Sequence, residues 1–179
     1  SELLKGDGTL DDYIALVAQH YFIYVALEAA ADNMRSEPVA SAFITDALTR
    51  LPACEADLTA LLGANWLEQI APLPATQRYV DRINEIGSDW AGGFIAHHYT
   101  RYLGDLSGGQ MIARIMVQQH GFDEAGVAFY AFDGLGDLRA FKESYRDALD
   151  AIGAEFDAVE RQRVVDEVRQ AYRFNTETF

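Results

Sequence analysis

The chain has 179 residues, half of them hydrophobic, and 28 acidic against 14 basic side chains give a formal net charge of -14. Such a length and apolar share exclude a disordered chain and fit one domain, residues 1–179, around a single core. The acidic balance excludes nucleic acid, whose binding rests on basic patches, and no apolar run reaches the roughly 20 residues of a membrane span, so no membrane association is expected.

The opening SELLKGDGTL has no initiator Met and no signal-peptide pattern, and reads as an incomplete N-terminus. Thr9 and Asp12 form a capping-box pattern, and Tyr13, Leu16, Val17, Tyr24 and Leu27 recur at helical spacing, which predicts a helix over about 10–33. Pro38 breaks the pattern. A weaker helical segment follows through TDALTRLPACEADLTALLG, with Pro52 as an interruption and Gly63 as its close. In PLPATQRYVDRINEIG, Pro74 marks a helix start, Tyr79, Ile83 and Ile86 an apolar face, and Gly87 the stop.

From Ser88, a potential cap, to Gly121 the spacing predicts one segment of about 32 residues that should bend at its central glycines. VAFYAFDGLGD is a short aromatic connection. LRAFKESYRDALDAIG and FDAVERQRVVDEVRQAYRFNTETF are two further amphipathic helices. No period-two alternation between hairpin turns occurs, so the fold class is all-α, a helical bundle with a kinked glycine-rich helix. The lone cysteine, Cys54, allows no internal disulfide and fits a reducing, cytoplasmic setting.

The informative stretch is GDLSGGQ, Gly104 to Gln110. A glycine inside a helix costs about 1 kcal/mol relative to alanine, so Gly104, Gly108 and Gly109 together cost roughly 3 kcal/mol. That is large against a total stability of about 5 to 15 kcal/mol. Gly104 and Gly108 share one face, and a face without side chains suits either a flat ligand or a second helix packed closely. Spacing leaves both open. Tyr99, Arg101 and Asp105 on the same helix favour the ligand, because a packed helix pair rarely buries a carboxylate without a partner.

The segment AHHYTRYLGDLSGGQMIARIM resembles the distal-helix signature of haem oxygenases. YFIYVALE, ATQRYVDRINEIG, FYAFDG, FKESYRDALD and AYRFNTETF resemble the same family in its order and roughly its spacing, so that the resemblance spans nearly the whole chain. It implies an enzyme that opens haem to biliverdin, carbon monoxide and ferrous iron. Haem would be both cofactor and substrate, dioxygen the co-substrate, and a reductase or ferredoxin the electron donor to a monomeric protein.

By the same resemblance, Gly104 and Gly108 would touch the macrocycle, and Asp105 would anchor a water network beside bound dioxygen. Tyr24, Glu28, Thr100, Arg101 and Asn175 would extend that network. Lys142 and Arg146, four apart on one helix face, would hold the propionates, with Tyr99 as a further contact. Phe129, Tyr172, Phe174 and Phe179 would be pocket walls. Read without the family, Tyr24 and Arg101 could satisfy each other or Glu28, the basic pair could be a solvated face beside Glu143 and Asp147, and the aromatic residues could be core.

The family's axial histidine corresponds to no residue here and is expected upstream of Ser1. The histidines present, His20, His97, His98 and His120, match no ligand position and read as core or surface residues. A haem carrier of the same fold is the alternative to the enzyme. Thiaminase-type or di-iron chemistry would need carboxylate and histidine pairs at helical metal spacing, and no EXXH occurs.

Overall fold

The computed structural model describes residue 5 and residues 7–179. The opening SELL therefore lies outside the described residues. Among the described residues the regular elements are all helical: α1 (Leu10–Met34), α2 (Leu51–Leu62), α3 (Pro74–Ile86), α4 (Ala91–Gly104), α5 (Gln110–His120), α6 (Leu138–Glu155) and α7 (Ala158–Thr178).

Helix α1 begins where the capping pair predicts. Thr9 Oγ1 accepts from the Asp12 amide at 3.1 Å and Asp12 Oδ2 accepts from the Thr9 amide at 2.8 Å, so two otherwise orphaned donors are satisfied reciprocally. The expectation of no long apolar run needs correction here. α1 has 25 residues and contains an 18-residue window of mean hydropathy 1.4, so by length and composition alone it could cross a bilayer. In this fold it is a core helix: Tyr13, Val17, Ile23, Tyr24 and Leu27 are buried, and α2, α3 and α4 pack around it. Each such large side chain contributes about 1.5–3 kcal/mol by leaving water.

Two further boundaries differ from the sequence reading. Pro52 does not interrupt a helix but sits in the first turn of α2, where its missing N–H would be an orphan in any case. Ser88 does not cap α4, which starts at Ala91 after Trp90, and its hydroxyl accepts instead from Asn33 Nδ2 at 3.0 Å. Gly63 and Gly121 end α2 and α5 with positive φ of 86° and 68°, a conformation glycine adopts without steric cost.

The connection from 121 to 137 is held by two buried groups that no periodicity signals. Asp57 of α2 accepts from the amides of Gly126, Ala128 and Phe129 at 2.8–2.9 Å. Arg50 donates to the carbonyls of Phe129 and Ala131 at 2.9 and 2.7 Å. Together they turn the rings of Phe129 and Tyr130 inward, towards α1 and the glycine segment.

Candidate active site

The glycine segment is neither a straight helix nor a simple kink. Between α4 and α5 the backbone widens into one π-helical turn, Asp105–Gly109, before α-helical geometry resumes. Such turns are rare and concentrate at functional sites. The three glycines then separate into two kinds. A Cβ built on Gly109 would stand 2.3 Å from the Tyr130 ring, so Gly109 is required by packing. A Cβ on Gly104 or Gly108 would meet nothing within 4 Å. Close packing against the Tyr130 ring of the 121–137 connection therefore explains Gly109 but not the other two, whose bare face opens into a cavity.

That cavity has a volume of about 430 Å³ and is lined by Gly104, Asp105 and Gly108 of the turn, Thr100 and Arg101 of α4, His20 of α1 and Asn175 of α7, among others. Asp105 is its charge centre. Arg101 Nη2 donates to Asp105 Oδ1 at 2.6 Å, and the Tyr24 hydroxyl donates to Oδ2 at 2.5 Å. Burial pushes the Asp105 carboxyl up, but the Arg101 cation, aided by the Tyr24 hydroxyl, outweighs it and holds the group at about 2. At neutral pH it is an anion that accepts hydrogen bonds and cannot donate one.

Arg101 is equally buried and spreads its donors over three elements: Nη2 serves Asp105 and, at 2.8 Å, His20 Nε2, while Nη1 donates to Asn175 Oδ1 of α7. Its Nε has no partner. Thr100 lines the cavity, but its hydroxyl donates back to the Ala96 carbonyl at 2.8 Å. His20, which matches no ligand position in the sequence, stands in this cluster. Its only advance signal is position, one turn before Tyr24 on the same face of α1.

Other expected residues lie elsewhere. Glu28 is half-buried and accepts from the amides of Arg50 and Leu51, so it holds the N-terminus of α2 and does not line the cavity. Phe174 is buried against Tyr79, with ring centroids 5.3 Å apart, and Phe129 packs behind His20 and Tyr24; both are core. Tyr172 is exposed and stands beside the half-buried Tyr99. Phe179 lines the cavity. Lys142 reaches Ser107 of the π turn, its Nζ 3.4 Å from the hydroxyl, and Arg146 is exposed one turn further along α6.

A larger groove of about 910 Å³ runs between α3 and α7. Two of its guanidiniums are engaged, Arg82 with Glu85 and Glu167 and Arg163 over the Trp90 ring. It brings together no comparable set of donors and acceptors around a bare backbone. Among the described residues no three His, Cys, Asp or Glu side chains group as a metal site.

The fold and site define an all-helical protein with an open, side-chain-free helix face beside a buried anion. The comparisons agree with that class. The family model described as "Heme oxygenase" matches residues 1–179, and the chain belongs to that family. It is 40% identical over 177 residues to a Nostoc sp. protein named "Heme oxygenase 1", covering 98% of this chain and 74% of that one. Among solved structures it is similar to Synechocystis sp. heme oxygenase-2 in complex with heme and NO, with a TM-score of 0.91, 39% identity and coverage of 98% of this chain and 73% of that chain. Synechocystis sp. heme oxygenase-1 in complex with heme is similar at a TM-score of 0.90 and 35% identity, over 98% and 79% of the two chains.

Proposed function

We propose that the chain is a cytoplasmic, monomeric haem oxygenase that opens haem to biliverdin, carbon monoxide and ferrous iron, with dioxygen as co-substrate and electrons from a reductase or ferredoxin. Family membership supports the reaction class, and the lone, buried Cys54 fits a reducing compartment. The single observation that carries the reading is the buried anion of Asp105 fixed beside the open backbone of Gly104 and Gly108.

The residues present fit haem. Gly104 and Gly108 offer a bare face against which a macrocycle can lie, and Lys142 and Arg146 on α6 supply cations for its propionates, with Tyr99 beside them. Haem in this cavity would supply both the iron at which dioxygen is activated and the carbon that is oxidised. No axial role is assigned to His97, buried against Glu167, to His98, buried against Tyr145, to the exposed His120, or to His20, which stands on the Asp105 side.

Asp105 cannot act as a direct proton donor, since it is ionised at neutral pH. Each of its oxygens already accepts one hydrogen bond and keeps a lone pair for another, so ordered water is the natural third partner. The cavity has room for several waters at about 30 Å³ each. Asp105 therefore organises water that hydrogen-bonds to the reacting oxygen, while Arg101 and Tyr24 keep the carboxylate charged and fixed. Leu16, Ile112 and Phe179 close the apolar side. A haem carrier of this fold would need the glycines and the α6 cations but would have no use for this clamped carboxylate.

The test is absorbance. Haem is added to the whole protein, a reductase and reductant are supplied, and the spectrum is followed. Loss of the haem Soret band with appearance of biliverdin supports the enzyme. A stable Soret band under reductant supports the carrier.

A further inference from the structure

His20 belongs to the machinery of this site for a reason the hydrogen-bond directions make plain. Its Nδ1 lies 2.8 Å from the Leu16 carbonyl, which can only accept, so Nδ1 carries the ring's proton. The neutral ring then presents Nε2 as an acceptor. Arg101 Nη2, which can only donate, lies 2.8 Å from it. The same Nη2 donates its other hydrogen to Asp105 Oδ1 at 2.6 Å. One nitrogen with two hydrogens thus meets two acceptors, one from α1 and one from the π turn.

The ring has little freedom to turn away. It stacks on Phe179 at 4.5 Å, with an interplanar angle of 22°, and packs against Phe129 at 4.7 Å. It is 3% exposed. A protonated ring would direct its Nε2–H at a guanidinium nitrogen 2.8 Å away that has no lone pair to accept it, while Asp105 Oδ1 stands farther off at 3.5 Å. Burial lowers the His20 pKa and the Arg101 cation adds to that, outweighing the pull of Asp105, so the ring stays neutral.

We infer that His20 is a positioning residue of this site: as a neutral acceptor it fixes the Arg101 guanidinium, and through it the orientation of the Asp105 carboxylate towards the glycine face. The inference rests on the proposed haem-opening reaction for its consequence in turnover, and on hydrogen-bond geometry alone for its tautomer. α1 then delivers two things from adjacent turns of one face, an acceptor from His20 for Arg101 of α4 and a donor from Tyr24 for Asp105 of the π turn. Without His20, Arg101 keeps Asp105 but leaves a buried N–H unmatched, and the guanidinium gains freedom to rotate.

Two measurements test this. In the uniformly 15N-labelled whole protein, imidazole correlation spectra at pH 7 should show His20 neutral with its proton on Nδ1, and the Arg101 guanidinium should rotate more slowly than in His20→Leu. In haem turnover with a reductase, His20→Leu should lower kcat about tenfold while haem affinity stays within about threefold. His20→Gln, whose amide oxygen can stand in for Nε2, should restore most of the rate. A charged or Nε2-protonated His20 at pH 7 would overturn the inference, as would a leucine variant that turns over like the wild type or a glutamine variant no better than leucine. If the wild type consumes no haem, the proposed function falls, and the tautomer and guanidinium rotation still decide the role of His20.

Discussion

The Tyr24 hydroxyl donates to Asp105 Oδ2 at 2.5 Å, joining two residues 81 positions apart inside a cavity wall where both are buried. The bond ties the core helix α1 to the π turn, so it bears on stability as well as on the site. Tyr24→Phe removes one donor from a buried carboxylate without opening a large void. Loss of a hydrogen bond to a charged group costs about 1.5–3 kcal/mol, so the unfolding free energy should fall by that amount, read as a lower denaturant midpoint. Haem turnover should fall about tenfold, because the carboxylate retains Arg101 but loses its second anchor.

The three glycines should separate in an alanine scan. Gly104→Ala and Gly108→Ala place a methyl in open space on helical backbone, so each should raise stability by up to about 1 kcal/mol. Both should weaken haem binding, because the methyl stands where the macrocycle would lie. Gly109→Ala drives a methyl into the Tyr130 ring and should destabilise by about 1–3 kcal/mol. Thermal melting with and without haem reads all three.

Lys142→Ala and Arg146→Ala should each weaken haem binding about threefold to tenfold, with little change in melting temperature, since neither belongs to the buried cluster. The double variant should show a flatter salt dependence of haem affinity than the wild type, because screening acts on the charges it has lost. Titrations at two ionic strengths check this.

Much of the fold is legible in the sequence because its signals are local. The Thr9–Asp12 pair, Pro74 and the closing Gly63 and Gly121 act through their own backbone neighbours and appear where expected. Pro52 and Ser88 mislead for the opposite reason: each is compatible with two local roles, and tertiary packing selects between them. Asp105, Arg101 and Tyr24 could be named from type and resemblance, but the partition of the glycines needed Tyr130, which approaches from a non-periodic connection held by Asp57 and Arg50. His20 was hidden because a buried histidine on an apolar face looks the same in sequence whether it packs or accepts a hydrogen bond. Glu28 illustrates the reverse, a polar residue near the site whose carboxylate is taken by the backbone of α2.

Acid should destabilise the protein in two stages. Burial holds the His98 pKa at about 3, against an ordinary 6.5, so between those values the unfolded chain binds a proton that the native state refuses. Stability therefore declines as pH falls below about 6.5. Asp105 and Glu167 are both held at about 2; Glu167 is pushed up by burial and pulled further down by His97 and Arg82. Their contribution is present above the ordinary carboxylate range and is lost as pH falls from about 4 towards 2. His98→Gln, which can still pair with the Tyr145 hydroxyl, should flatten the upper stage in part, the buried His20 with its lowered pKa keeping the remainder, and leave the lower stage, as read by denaturant midpoints across pH.

The proposed chemistry depends most directly on Asp105. Asp105→Asn keeps the shape and can still accept from Tyr24 or Arg101, but it removes the charge that organises water beside the glycine face. The decisive measurement is a single-turnover comparison of wild type and Asp105→Asn loaded with haem, given dioxygen and reductant, with biliverdin and carbon monoxide quantified. Haem affinity should stay within about threefold of wild type and the biliverdin yield should be lower by tenfold or more. An asparagine variant that forms biliverdin at the wild-type rate and yield would contradict that chemistry.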